Sequence, residues 1–261
     1  MHFDLEQPEH AYLLGFLLGD GHLYAGRGHK GRLGVELHIR DRDLLERFLE
    51  LLPGATLSTR IRTTNFSRGP YETAVLSCAG LAVRSALKAI GMPEGRKGDS
   101  VRPPEVPYSL RDFARGMCDA DGSLGLTGQG QPYISLVTSS PALADWWCAE
   151  VVPMGGVKRS WKPNKRDGVA NIMVAVEPAQ RLTSWMYRPG DLALERKASA
   201  AVAMQAWTRP EEMRRAYTAK RWTPEEDEVV LQDLSLGELA VLLGRTVQSV
   251  NLRRWRLKKA P

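Results

Sequence analysis

The sequence predicts an α+β fold made of two pseudo-symmetric halves, followed by a small all-α unit. Three observations carry that prediction. A nine-residue pattern occurs twice at the spacing of a small domain. After each copy, hydrophobic periodicity gives one order of elements: helix, two strands, helix, two strands, helix. The tail holds two helix-start signatures and a strongly basic last helix.

The first copy of the pattern reads Leu13-Leu14-Gly15-Phe16-Leu17-Leu18-Gly19-Asp20-Gly21. The second reads Ala114-Arg115-Gly116-Met117-Cys118-Asp119-Ala120-Asp121-Gly122. Each is an apolar helical segment with small residues four apart, so a second helix can approach that face closely. Each closes on Asp-Gly, with the Asp in a last turn where the helix dipole disfavours negative charge. Packing the small faces together would also bring Asp20 towards Asp121, a second cost. A divalent cation would offset both.

The remaining elements follow in order. Gly21 to Ile39 reads as two strands around a Gly-rich turn (Gly26, Gly28, Gly31), with Val35, Leu37 and Ile39 alternating against polar residues. Asp41–Leu52 is an amphipathic helix ended by Pro53-Gly54. Strands at Ala55–Thr64 and Tyr71–Cys78 flank a turn through Ser67-Arg68-Gly69-Pro70, and a helix at Leu81–Ile90 completes the half. Prolines 93, 103, 104 and 107 mark a linker. The second half repeats the order: helix Ser109–Asp119, strands Ser123–Thr127 and Tyr133–Thr138, helix Pro141–Val152, strands Gly156–Lys162 and Ala170–Glu177, then helices Pro178–Tyr187 and Leu194–Ala206. Lys97 lies 77 residues after Asp20 and Lys197 lies 76 after Asp121, the match that a pseudo-twofold site requires. In the tail, Thr223-Pro224-Glu225-Glu226 and Ser235-Leu236-Gly237-Glu238 are capping boxes, Gly244 is a helix stop, and Thr246 opens a third helix with Trp222 and Trp255 as core aromatics.

The two nine-residue segments resemble the paired motifs of the LAGLIDADG homing endonucleases in their single-chain, two-motif form. The second copy keeps Asp-Ala-Asp-Gly, whereas Leu18 and Gly19 replace the motif's first Asp and its Ala in the first copy. The family's catalytic acid is the last Asp, kept in both. The resemblance spans about residues 10 to 206. It implies LAGLIDADG units over residues 1–92 and 109–206, joined by a linker at 93–108, with their antiparallel sheets forming a saddle on duplex DNA. It further implies metal-dependent phosphodiester hydrolysis with one acid per strand, and hence a double-strand break.

Hard oxygen ligands and a phosphate substrate point to Mg2+ or Mn2+. The expected ligands are Asp20 and Asp121, with the helix-end carbonyls of Gly19 and Ala120. Lys97 and Lys197 would polarise a water or screen transition-state charge. His38 is the candidate for the polar residue that orders the active-site water in the first half, with Val137 or Thr138 at that place in the second. DNA contacts are expected from Arg40, Arg60 and Arg62 on the first sheet and Lys158 and Lys162 on the second. The tail, residues 222–261 after a linker at 207–221, resembles Myb/SANT-like helix-turn-helix domains, with Arg245, Gln248, Arg253 and Arg254 as DNA contacts. A non-catalytic transcriptional regulator and an intron maturase, which would bind intron RNA, use the same scaffold and stay open as alternatives. Retention of both acids favours the nuclease.

Composition is compatible with this reading. A net charge of +6 and a pI near 9.3 suit an acidic polymer as partner. Three widely spaced cysteines suit a reducing compartment. No apolar run reaches the ~18 residues needed to span a bilayer, so a soluble, cytoplasmic monomer is expected.

Overall fold

The computed structural model describes residues 1–26, 30–63, 69–211, 213 and 222–259. The expectations for Gly28, Thr64, Ser67-Arg68 and most of the 207–221 linker lie outside them. The chain divides into two compact units, Met1–Thr208 and Arg209–Pro261. In the first unit, α1 (Pro8–Gly19), β1 (Gly21–Tyr24), β2 (Arg32–His38), α2 (Arg42–Leu51), β3 (Thr56–Arg62), β4 (Tyr71–Cys78) and α3 (Leu81–Ala89) form the first half. The second half comprises α4 (Leu110–Asp121), β5 (Gly122–Leu126), β6 (Pro132–Thr138), α5 (Pro141–Trp146), β7 (Ala170–Ala175), α6 (Glu177–Met186) and α7 (Glu195–Gln205). Both sheets are antiparallel, ordered β1-β2-β4-β3 and β5-β6-β7. One continuous apolar core runs through both halves.

The two motif helices form the centre of that core. From Ala11 to Leu18 every residue of α1 is buried, as expected of a helix that is apolar all round. Backbone meets backbone between α1 and α4. A Cβ on Gly15 would stand 3.0 Å from the Met117 nitrogen, and one on Gly116 would stand 2.8 Å from the Phe16 nitrogen. Neither neighbour is a side chain that can swing away. The crossing is pinned by Asp119, fully buried on α4. It accepts hydrogen bonds from the Tyr12 hydroxyl of α1 (2.6 Å), the Tyr187 hydroxyl (2.6 Å) and the Leu194 N–H (2.8 Å). At the matching place in α1, Leu18 is buried among apolar neighbours. In the second copy this first Asp is thus a structural residue, whereas Leu18 fills the matching place in the first copy by apolar packing. Arg115 is also buried, bonded to Asp112, Asp191 and the Leu192 and Met186 carbonyls.

Three expectations for the first unit need correction. Gly156–Lys162 forms no strand, so the second sheet has three strands among the described residues. The reason lies along β7, where the Arg159 side chain donates to the Met173 carbonyl (3.4 Å), while Trp161 is tied to Asp145 (2.7 Å) and Pro163 has no N–H to offer. The helix expected at Pro141–Val152 is α-helical only to Trp146, then continues as a π-turn and a 3-10 turn to Gly155. Helix α4 runs on through Asp121.

The second unit holds α8 (Pro224–Val230), α9 (Leu236–Leu243) and α10 (Val247–Lys259) around Val230, Leu239, Ala240 and Val250. Both capping boxes are made in full, and Gly244 ends α9 at φ 59°. Trp222 packs on this core, but Trp255 is 54% exposed and is no core aromatic.

Because backbone limits the α1–α4 approach, Gly116→Ala should destabilise the first unit by about 1–3 kcal/mol or more. Gly125→Ala, where an added Cβ has room but the φ of 153° is unfavourable, gives a milder control. Urea denaturation of both variants is the check. Equal midpoints would refute the packing constraint.

Candidate functional site

The close crossing of α1 and α4 delivers both helix C-termini to one place. A Cβ on Gly19 would overlap that of Ala120 and stand 3.0 Å from an Asp121 carboxylate oxygen. Asp20 and Asp121 are solvent-accessible there, yet surrounded densely enough that their ionisation is opposed. Partial burial, and then the charge of Asp121, push the Asp20 carboxyl up to about 6. Burial also raises Asp121, with Lys97 and Lys197 pulling it back. Two carboxylates at two helix C-termini are held where negative charge is costly, the condition that favours a bound cation.

The two lysines do something the sequence did not disclose. Lys97 donates to the carbonyls of Leu17 (3.1 Å), Leu18 (3.0 Å) and Gly19 (2.5 Å). Lys197 donates to those of Cys118 (2.6 Å), Asp119 (2.7 Å) and Gly122 (2.8 Å). Each ammonium therefore caps the end of a motif helix, satisfying carbonyls that the helix leaves without partners and opposing its dipole. Burial lowers both lysine pKa values; Asp121 and Asp20 hold Lys97 up, and Cys118, Asp119 and then Asp20 hold Lys197 up. Both lysines stay close enough to act electrostatically on the acids. Lys97 takes one lone pair of the Gly19 carbonyl and leaves the other. Among the described residues no three His, Cys, Asp or Glu side chains cluster as a metal site, so a cation here would rest on two carboxylates and carbonyl oxygens.

The surroundings of the two acids differ. Asp20 opens onto a cleft of about 330 Å³ lined by His22, Tyr24, Arg32, Glu36, Ser58, Arg60 and Arg62. Asp121 opens onto one of about 280 Å³ lined by Leu18, Val101, Val137, Thr138 and Leu143, with Lys97. His38 lies elsewhere. Gly21 pairs with Val35, so His38 is three residues, roughly 10 Å, further along β2. Its ring stacks on Tyr71 and its Nδ1 accepts from the Arg40 N–H. The polar side chains beside Asp20 are instead His22 and Glu36, which sequence reasoning missed. The signal for His22 was its place two residues after the acid, matched by Ser123 in the second half. Glu36 accepts two hydrogen bonds from Arg62 (2.7 and 2.5 Å) and one from Thr73 (2.7 Å), with Arg60 at 3.7 Å, and its carboxyl falls to about 2.

Of the expected DNA contacts, Arg60 and Arg62 lie on the outer face of the first sheet. Arg40 does not join them, lining a separate groove with Glu9, Asp43, Arg47 and Asp191. Lys158 and Lys162 are exposed beside the second sheet rather than in it. In the tail, the Arg245 side chain is buried against Glu226 (2.6 Å) and over the Trp222 ring (3.9 Å). Arg253 pairs with Asp227 (2.5 Å), although α10 itself carries no acid. Arg254 donates to the Val230, Gln232 and Leu234 carbonyls. These three arginines hold the tail together. Gln248, Asn251, Trp255 and Arg256 are among the exposed residues of α10.

The raised carboxyl at Asp20 predicts a sign. A carboxyl with its folded pKa above the unfolded value binds protons more readily in the fold, so its contribution falls as pH rises from about 4 to about 6. Without divalent metal, Asp20→Asn should therefore raise the Tm at pH 7.5, and the gain should shrink towards pH 4. Differential scanning fluorimetry across that range checks it. A variant less stable than the parent at pH 7.5 would contradict the electrostatic account.

Comparison with known proteins bears on the fold. Residues 7–86 match the LAGLIDADG-like domain. No curated protein matches the sequence significantly. Among solved structures, the homing endonuclease I-WcaI bound to its DNA recognition sequence is similar, with a TM-score of 0.55 and 14% identity over 77% of this chain and 88% of that one. The I-LtrWI LAGLIDADG homing endonuclease bound to target DNA (TM-score 0.44, 10% identity, 75% and 87% covered) is also matched. So are mesophilic variants of the homing endonuclease I-DmoI (0.45, 16%, 76% and 98%). At such identities the I-WcaI likeness speaks for the fold. Residues 7–86 are thus similar to the LAGLIDADG-like domain, and the chain shares the mixed α+β, two-unit fold of the LAGLIDADG homing endonuclease I-WcaI.

Proposed function

We propose that this protein is a site-specific, metal-dependent endonuclease of double-stranded DNA, acting as a monomer with one acid for each strand. The observation that carries the reading is the meeting of Asp20 and Asp121 at the ends of α1 and α4, where their ionisation is opposed. Bound there, Mg2+ or Mn2+ would supply positive charge at the scissile phosphate and acidify a coordinated water. The residues that would hold it are Asp20 and Asp121, with the carbonyls of Gly19 and Ala120. Lys97 and Lys197 fix the helix ends, keep the acids in place and add positive potential beside the phosphate. His22 and Glu36 flank the Asp20 side, and Glu36 aligns Arg60 and Arg62 over the sheet face. The tail would add contacts through the exposed side of α10, at Gln248, Asn251, Trp255 and Arg256. A regulator without activity would have no need of both acids, and nothing in the geometry favours an RNA ligand.

A randomised duplex library, incubated with Mg2+ or with EDTA and sequenced for new ends, tests this directly. Metal-dependent ends at one long site are expected, and Asp20→Asn or Asp121→Asn should lose cleavage of at least one strand while still binding. Sequence-specific binding with no cut in either condition would turn the reading to a regulator. Truncation after Thr208 should weaken binding and flatten its dependence on salt, because phosphate contacts disappear. An unchanged slope would separate the tail from DNA.

A further inference from the structure

We propose that the two halves read DNA by different chemistry, and that the second sheet recognises thymine methyl groups through Val137 and Met173. The inference rests on the endonuclease reading and deepens it. The strand registers define the two outer faces. In the first sheet, His22, Tyr24, Arg32, Glu36, Ser58, Arg60 and Arg62 share one face. In the second, the residues at corresponding places are Ser123, Tyr133, Ser135, Val137, Asn171 and Met173. Among the described residues of β5–β7, that face carries no charged side chain. Val137 stands in register where the first sheet has Glu36, and it is 42% exposed, while Met173 is 51% exposed.

Exposed aliphatic side chains on an outer sheet face, with Val137 also lining the cleft of Asp121, are available to an occupant. Charge identifies it. Along β7 runs the segment carrying Lys158, Arg159, Lys162, Lys165 and Arg166, all exposed. It is held there by the bond from Arg159 to the Met173 carbonyl and by Trp161 to Asp145. The acid at its end, Asp167, pairs with Arg166. An uncharged face that presents two aliphatic side chains inside a cationic border fits a duplex groove, where the border meets phosphates and the face meets base edges. In the major groove the apolar group offered by a base is the C5-methyl of thymine. The first sheet, with Arg32 and Arg60, is suited instead to guanine O6 and N7. The half-site under β5–β7 is therefore expected to be rich in thymine and the other half to contain guanine.

The test uses the full-length protein in Ca2+ with the preferred duplex recovered from a randomised library. Each thymine is replaced singly by deoxyuridine, which lacks only the methyl. Affinity should fall about fourfold at one or more positions of the second half-site, the worth of one buried methyl, and remain within error across the first. Val137→Ala or Met173→Ala should abolish the difference between thymine and deoxyuridine at the matching position, and Val137→Thr, nearly the same shape but polar, should weaken it. A site whose two halves respond alike, or a difference that survives both alanine variants, would overturn this proposal and leave the nuclease standing. Recovery of no preferred sequence would overturn both. A second sheet covered by another copy or by the chain's own tail would show as indifference to deoxyuridine throughout, which also counts against it.

Discussion

The close approach of α1 and α4 is the constraint on which the rest of the structure depends. Gly15 and Gly116 let the two backbones touch, and that contact fixes where both helices end. Everything chemical about the site follows from it. Asp20 and Asp121 are not brought together by a loop that could relax, but by the termini of two buried rods locked through Tyr12, Asp119 and Tyr187. Their mutual repulsion is carried by packing that comes from elsewhere in the core.

Such a site needs positive charge before any ligand arrives, and the chain provides it twice. Lys97 and Lys197 each enter from a distant segment and place an ammonium on the free carbonyls of a motif helix. One group thereby opposes the helix dipole, satisfies backbone oxygens and stands beside the acids. This explains the similar spacing of the lysines from the aspartates more fully than a role in polarising water does. A residue that must reach the same helix end from the corresponding fold position will fall at nearly the same distance in each repeat. Lys97, whose ammonium serves the Gly19 carbonyl, also acts on both carboxylates, so structural and chemical demands share atoms.

The repeat, the small residues and the tail's capping boxes were legible in the sequence because each is a local pattern with a local physical cause. Periodicity located nearly every strand and helix, since a half-buried strand must alternate. The misreadings occurred where a partner from a distant segment decides. Val157 and Trp161 alternate as a strand would, but the Arg159 side chain takes the Met173 carbonyl and the Trp161 indole is drawn to the Asp145 carboxylate of α5, and the segment adds no strand to the described sheet. Arg245, in the turn before α10, and Arg253 on it were expected to contact DNA, whereas Glu226 and Asp227 of α8 face them across the bundle. His38 was placed by its distance from the next helix, but register decides what lies beside Asp20, and register sets His22 and Glu36 there.

The two halves therefore obey one rule at their centre and different rules at their edges. At the helix ends the repeats cannot diverge far, because each must present a small residue to the other's backbone and an acid to the shared site. Even so, Leu18 and Asp119 occupy matching places with opposite chemistry, since Asp119 has two tyrosines to bind it and Leu18 has apolar neighbours. The outer sheet faces are under no such mutual demand. One is laced with Arg60, Arg62 and Glu36, and the other is neutral with exposed Val137 and Met173. A single chain that joins two halves is free to carry that difference, which a symmetric pair of identical subunits is not. Fusing the halves frees each sheet to match its own stretch of a partner while the acids remain paired.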